Sequence, residues 1–453
     1  MISVAATRRL CFAVLAAMMT GCGGGQSSAS VPPGTPGKPP GNSPIAHVVV
    51  IIQENRTVDD LFNGFPGADT VTSGLNSKDK SVRLQPVLLT DPYDISHSHG
   101  SFVTEYAGGK MNGFDRAPSN CTHHAGEPKC LPHKLRAYAY VPRSEIRPYW
   151  DMARAYAFAD HMFETDQGPS FPAHQYLVSG TSTIDDGSAL RASEEPRTPS
   201  GKFTGGCDSP RGSLVQVIDD KGQENQSVYP CFNRTSLMGL INETSITWRY
   251  YQARNSAGPW HAPDAVRPIR DSGSFNDVEA PSAQILTDVA NGHLANVVWV
   301  TPTARASDHA GITDGSGPSW VASVVNAIGE SPYWNSTAIF VLWDDWGGWY
   351  DHVPPTIYNS FELGFRVPLI VISPYAKRGY VSHRAHELGS ILKFTEKTFG
   401  LPSLGTTDVR SDDLMDCFDF NAAPHRFEHV PSDHSAQYFL RLPVSNQSPD
   451  NDE

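Results

Sequence analysis

Past its first twenty residues the sequence has no run of eighteen consecutive apolar residues, so no later segment reads as a membrane-spanning helix. It has no surplus of basic charge either. Lys and Arg number 35 against 48 Asp and Glu, a formal charge of −13, and such a chain lacks the basic face that nucleic acid or an anionic lipid surface requires. No Cys-x-x-Cys pair occurs, which disfavours a zinc ribbon. Charged residues make up only 18%, against the composition of a coiled coil, whereas 38 Gly and 36 Pro point to a globular protein rich in loops. At 453 residues the chain can bury a full core, as two to three average domains or one large α/β domain.

What is present begins with targeting. Arg8-Arg9 precede a short apolar stretch, Leu10 to Met19, of signal-peptide length, so residues 1–21 read as an export signal. It ends in Met19-Thr20-Gly21-Cys22, where small residues before a cysteine resemble a bacterial lipobox. Cleavage before Cys22 and lipidation of its thiol would anchor the protein to a membrane; the alternative is an ordinary secretory signal with an incidental cysteine. Residues 23–44 hold six Gly, six Pro and four Ser, so 22–44 is expected to be a tether reaching about 25 Å or more. A large domain over 45–430 and a C-terminal tail over 431–453 complete the division. An oxidising compartment favours the local pairs Cys121–Cys130 and Cys207–Cys231, leaving Cys417 odd.

Ile45–Ile52 is an almost unbroken apolar, β-branched run, the pattern of a strand buried on both faces of a parallel sheet. Similar runs occur at Asn296–Thr301, Thr337–Trp343 and Val367–Ile372. Helical spacing is read over Ser144–Phe163, Pro318–Ile328 and His386–Phe399. Strands alternating with helices predict an α/β sheet covered on both faces, with the loop-rich segments 64–140 and 185–285 as insertions or a cap.

Three apolar runs end in polar clusters, where open α/β sheets bind ligands. The first gives Gln53-Glu54-Asn55-Arg56, the second leads to Ser307-Asp308-His309, and the third gives Asp344-Asp345, with Asp351-His352 a little further on. Adjacent carboxylates after a buried strand repel one another unless a cation sits between them, so Glu54-Asn55 and Asp344-Asp345 offer oxygen ligands for a divalent metal. The bland alternative is a Glu54–Arg56 ion pair with the aspartates capping a helix. Arg56 is expected to be structural, an ion-pair partner of the metal carboxylates. Ser170 stands in a constrained turn, Gly168-Pro169-Ser170-Phe171-Pro172. It has no Gly-x-Ser-x-Gly elbow around it, so activation by a metal is the better account of it as a nucleophile.

These residues carry a resemblance. HVVVIIQENRTVDDLFNGFPGAD, DISHSH with MNGFD, FADHMFETDQGPSFPAHQYLVSGTS, WVTPTARASDHAG, WNSTAIFVLWDDWGGWYDHVPP and GFRVPLIVISPYAKRGYVSH come in the order found in one bacterial family. Over about residues 45–405 the chain resembles the phosphoesterases that join phospholipases C with respiratory-burst-inhibiting acid phosphatases. The resemblance implies an alkaline-phosphatase-like α/β fold, a three-layer sandwich with a mostly parallel sheet, and one divalent metal ion. By its motifs Glu54, Asn55, Asp344 and Asp345 match the metal-binding residues, and Ser170 matches the nucleophile that also touches the metal. His97 or His99 matches the histidine after Asp94, His309 that of the Asp-His motif, and His352 lies in the Asp-His-Val-Pro-Pro segment. The phospholipase C branch usually has Thr and then Pro-Asn-Arg at the nucleophile, and Asp-Glu in place of Asp344-Asp345. Both departures lean toward the acid-phosphatase side.

The expected reaction is hydrolysis of a phosphate ester, of a soluble monoester or of a phospholipid, through a phosphoserine on Ser170. His309 or His97 would protonate the leaving group, with activity best on the acidic side of neutral. Two other readings compete: an anchored binding lipoprotein with a structural metal, and a sulfatase. Against the sulfatase, Ser170-Phe171-Pro172-Ala173-His174 lacks the Arg of the maturation motif.

Overall fold

A computed structural model describes residues 43–121, 129–255 and 257–444. The expected signal, Cys22 and the tether up to residue 42 lie outside the described residues. Eight strands form the central sheet: β1 (His47–Gln53), β2 (Ala157–Ala159), β3 (Trp248–Tyr251), β4 (Val278–Glu279), β5 (Val297–Val300), β6 (Thr337–Trp343), β7 (Leu369–Ile372) and β8 (Tyr380–Ser382). Their spatial order is β4-β3-β5-β1-β6-β7-β2-β8. β1 pairs in parallel with β5 on one side and β6 on the other, which is why all seven of its residues are buried. Only β7 runs against its neighbours, β6 and β2. Direction was not readable there, because a strand buried on both faces is apolar whichever way it runs.

Helices cover both faces, as expected for a three-layer α/β fold. On β6, alternate side chains leave opposite faces. Phe340 meets Phe394 of α4 (Leu388–Phe399) edge-on, ring centroids 5.1 Å apart, and Trp343 meets Tyr149 of α1 (Arg147–Ala155) at 4.9 Å. α2 (Ser170–Ser179) packs beside α4, and α3 (Gly317–Gly329) beside α1. Among the described residues no helix is long and apolar enough to cross a membrane.

The helix expected over Ser144–Phe163 is shorter. α1 stops at Ala155, Tyr156 turns extended (φ −127°, ψ −150°), and Ala157–Ala159 enter the sheet between β7 and β8. A short apolar run suits a buried helix or a buried strand equally, and the neighbouring strands decide. The segment 185–285 is not only an insertion either, since it supplies β3 and β4 at one edge of the main sheet. The tail read from residue 431 includes α5 (Ala436–Arg441), whose Phe439 is buried edge-on against Trp320 of α3 at 5.3 Å. Both expected disulfides are formed, Cys121–Cys130 and Cys207–Cys231, and Cys417 is a buried free thiol.

Candidate active site

The carboxyl ends of β1 and β6 lie side by side, with Gln53 opposite Trp343 in the register. Glu54-Asn55 and Asp344-Asp345 therefore leave the sheet together, and all four are fully buried. The Asn55 amide N–H donates to Asp344 Oδ1 at 3.1 Å. Asn55 holds a left-handed backbone (φ 63°), and Gly347 makes this fit. A Cβ on Gly347 would stand 2.3 Å from the Asn55 carbonyl oxygen.

Ser170 is the first residue of α2, after Pro169. Its hydroxyl lies 3.1 Å from Asp345 Oδ2 and 3.3 Å from Glu54 Oε2, and Asn55 Nδ2 is 3.5 Å away. The next residue, Phe171, gives its N–H to Glu195 Oε1 at 2.6 Å, so a carboxylate caps the positive end of the helix beside Ser170. One helical turn on, at the i+4 position, His174 presents Nε2 to Glu54 Oε1 at 3.2 Å and to Asp344 Oδ2 at 3.5 Å. His174 was not among the residues expected from sequence. The signal was there: residues four apart share a helix face, so a histidine at 174 points where Ser170 points.

Of His97 and His99, only His97 lies against Asn55. His97 Nδ1–H donates to the Ile95 carbonyl at 2.8 Å, which leaves Nε2 to accept from Asn55 Nδ2 at 2.9 Å. The other amide hydrogen goes to Asp345, both of whose oxygens are 3.0 Å away. His99 turns instead to Glu224 at 3.0 Å. The His309 ring meets the His97 ring edge-on at 5.7 Å, and His309 Nδ1–H donates to the Ala310 carbonyl at 2.8 Å.

Two expected residues sit elsewhere. His352 bonds Asp59 Oδ2 at 2.6 Å and Asp69 Oδ1 at 3.2 Å, beside Arg366, not the carboxylates around Ser170. Arg56 does not pair with Glu54, Asp344 or Asp345. Its guanidinium bonds Asp60 at 3.2 Å and the Asp308 carbonyl at 2.9 Å and lies over Trp349, 4.6 Å from the ring centroid. The chain bends after Asn55, so the residue two positions past Glu54 points toward the β5 loop. Asp308 is likewise structural, accepting from Tyr149 and Trp343 at 2.8 and 3.0 Å.

The donor set suits a divalent cation. Ser170 has one hydroxyl hydrogen, yet two carboxylates approach its oxygen. Burial, then the charge of Asp344, pushes the Glu54 carboxyl well above the usual carboxylate range. Burial also works against Asp344, but the bond and charge of His174 hold it below its ordinary value. Three buried acids cannot all ionise at such range without added positive charge. One donor atom from each of Glu54, His174 and Asp344 lies within 4.8 Å of the others. Asn55 Oδ1 is buried with no hydrogen-bond partner. Carboxylate, amide and hydroxyl oxygens are the ligands hard cations take, with an imidazole at hand for a borderline one.

The model of the phosphoesterase family matches residues 45–402. The chain is 24% identical to the non-hemolytic phospholipase C of Pseudomonas aeruginosa over 89% of its own length and 62% of that protein's. It is 25% identical to phospholipase C B of Mycobacterium tuberculosis (84% of this chain, 79% of that one). It is 22% identical to non-specific phospholipase C3 of Arabidopsis thaliana (80% and 71%). A solved structure from Vibrio parahaemolyticus, described as a protein in the alkaline phosphatase superfamily, is similar at a TM-score of 0.36 and 10% identity, over 85% of this chain and 72% of that one. With the family's model matched across most of its length, the chain belongs to the phosphoesterase family, whose reaction is hydrolysis of phosphoric ester bonds.

Proposed function

We propose that this chain hydrolyses phosphoric esters with Ser170 as nucleophile and one divalent metal ion held by Glu54, Asn55, Asp344, Asp345 and the Ser170 hydroxyl. The observation that carries the proposal is the Ser170 hydroxyl itself, at the start of a buried helix and within 3.1–3.5 Å of Asp345, Glu54 and Asn55. When bound, the ion lowers the proton affinity of that hydroxyl and neutralises charge on the phosphoryl oxygens. The chain's own residues do the rest. Ser170 attacks phosphorus in line and the ester oxygen departs, leaving a phosphoserine that water then hydrolyses. The Asn55 amide steadies the phosphoryl group, and His97, with its Nδ1–H committed to Ile95, orients Asn55 rather than acting as the acid. His309, doubly protonated with Nδ1–H bonded to the Ala310 carbonyl, gives its Nε2 proton to the leaving oxygen and is left as the neutral imidazole.

A second reading concerns substrate. The relatives named above are called phospholipases C, which favours a phospholipid diester over the soluble monoester suggested by the Ser and Pro-Ala-His around the nucleophile. Export is part of the same proposal, with a lipid anchor on Cys22, and the two disulfides support an oxidising compartment.

The test compares phosphate release from p-nitrophenyl phosphate with head-group release from phosphatidylcholine, with and without chelator, for the wild type and Ser170→Ala. Chelation should abolish turnover and added divalent ion should restore it. Ser170→Ala should cut kcat by several orders of magnitude with KM changed far less, and acid quench should trap phosphate on the wild-type Ser170 peptide. Near-normal turnover by Ser170→Ala would sink the covalent mechanism.

A further inference from the structure

A second group of metal-ligating side chains stands at the same rim of the sheet, beyond β7 from Ser170. β2 and β8 run parallel to each other and end there, delivering Asp160-His161 and His383. The Asp160 side chain is completely buried. Its carboxylate accepts from the Asp69 amide at 2.6 Å and lies 2.9 and 3.0 Å from His383 Nδ1. Arg366 passes close by but spends its N–H on the Asp160 carbonyl at 3.0 Å and its fork on Asp351. The side chain that faces this buried carboxylate is therefore His383. The His161 ring stands nearly perpendicular to that of His383, centroids 6.1 Å apart. Its Nε2 is 3.2 Å from Asp69 Oδ2.

One donor atom each from Asp160, His161 and His383 lies within 4.8 Å of the other two. Ligands around a tetrahedral ion with bonds of about 2.0–2.1 Å sit roughly 3.3 Å apart, so the donor atoms need to close by at most about 1.5 Å. The histidines can move: His161 is 23% exposed and His383 57%. Asp69, 46% exposed, stands next to the remaining position. Two imidazoles and a carboxylate suit borderline ions of the zinc, cobalt or nickel kind better than magnesium or calcium.

We propose that Asp160, His161 and His383 bind a divalent ion of the zinc type, a site distinct from the one around Ser170. Asp69 or water completes the coordination. The ion ties together the loop carrying Asp69 and the exits of β2 and β8. None of these residues takes part in the proposed hydrolysis.

The test is titration calorimetry of metal-stripped protein with zinc chloride, comparing the wild type with His161→Gln/His383→Gln. The double variant should bind one equivalent fewer than the wild type, and its p-nitrophenyl phosphate turnover should stay within about twofold. Because the readout is a difference, it survives failure of the Ser170 centre to bind metal; the wild type would then take one ion and the variant none. His383→Gln alone, changed at an exposed position, should keep the fold and weaken that one site by about tenfold or more. Equal stoichiometry and affinity in the wild type and both variants would overturn the proposal.

Discussion

Single residues set the tolerances of the site. Asn55 is one of the few non-glycine residues with positive φ, and its carbonyl fills the space a Cβ on Gly347 would need. Gly347→Ala should therefore shift Asn55, and with it the amide that spans His97 and Asp345. We expect a loss of roughly 1–3 kcal/mol in stability and at least a tenfold fall in kcat, read from urea unfolding and steady-state kinetics. A variant that kept wild-type kcat would show that the Asn55 geometry is not needed for turnover. His174 teaches a related point. Its role is invisible in the motif as a string, because the family's nucleophile segment draws attention to Ser170, yet the helical period puts both on one face.

At the scale of elements, α2 is supported from the chain segment that sequence reading assigned to insertions. Trp260 stacks parallel to His174 with centroids 6.3 Å apart, and the short helix Ala262–Ala265 that follows carries Asp264. Asp264 accepts from the Cys207 and Asp208 amides, at its carbonyl (2.9 Å) and carboxylate (3.2 Å), and so docks the disulfide-bearing loop. Burial, then the charge of Asp208, pushes its carboxyl up to about 7, with Arg270 pulling the other way. In the unfolded chain an aspartate titrates near 3.9. Between about pH 4 and 7 the folded protein thus holds a proton that the unfolded chain has released, so this group's stabilising contribution is full below that window and fades as pH rises through it. Asp264→Asn removes the titration. Relative to the wild type, the variant's Tm should rise by a few degrees from pH 4.5 to pH 8, read by circular dichroism melts. A constant difference across that range would mean that Asp264 ionises normally.

At the scale of the whole molecule, the central sheet gives the stability and the loops at its rim give the chemistry. The disulfides lie in those loops. Cys207–Cys231 joins residues 24 apart in sequence, and the chain-entropy account assigns such a loop about 3.5 kcal/mol. Cys207→Ser/Cys231→Ser should lose stability on that order in urea unfolding, with m rising because the unfolded chain is released from its cross-link. If reduction of the wild type also leaves stability and activity intact, the disulfide does not hold the Asp264 loop and the argument for an oxidising compartment weakens.

The sequence by itself determined the strands that build the floor of the site, since β-branched runs such as Val48–Ile52 favour the pleated backbone of a sheet over a helix. It also determined the identity of the acids at their ends and, through ordered motifs, the family. Tertiary structure alone decided which candidates meet. Register between β1 and β6 brings Glu54-Asn55 to Asp344-Asp345, and the bend after Asn55 sends Arg56 away from them. The choice of His97 over His99, the entry of His174 and the departure of His352 to Asp59 and Asp69 likewise depend on contacts between residues distant in the chain. Local periodicity tells which way a side chain faces within its own element; it holds no information about what another element brings to that place.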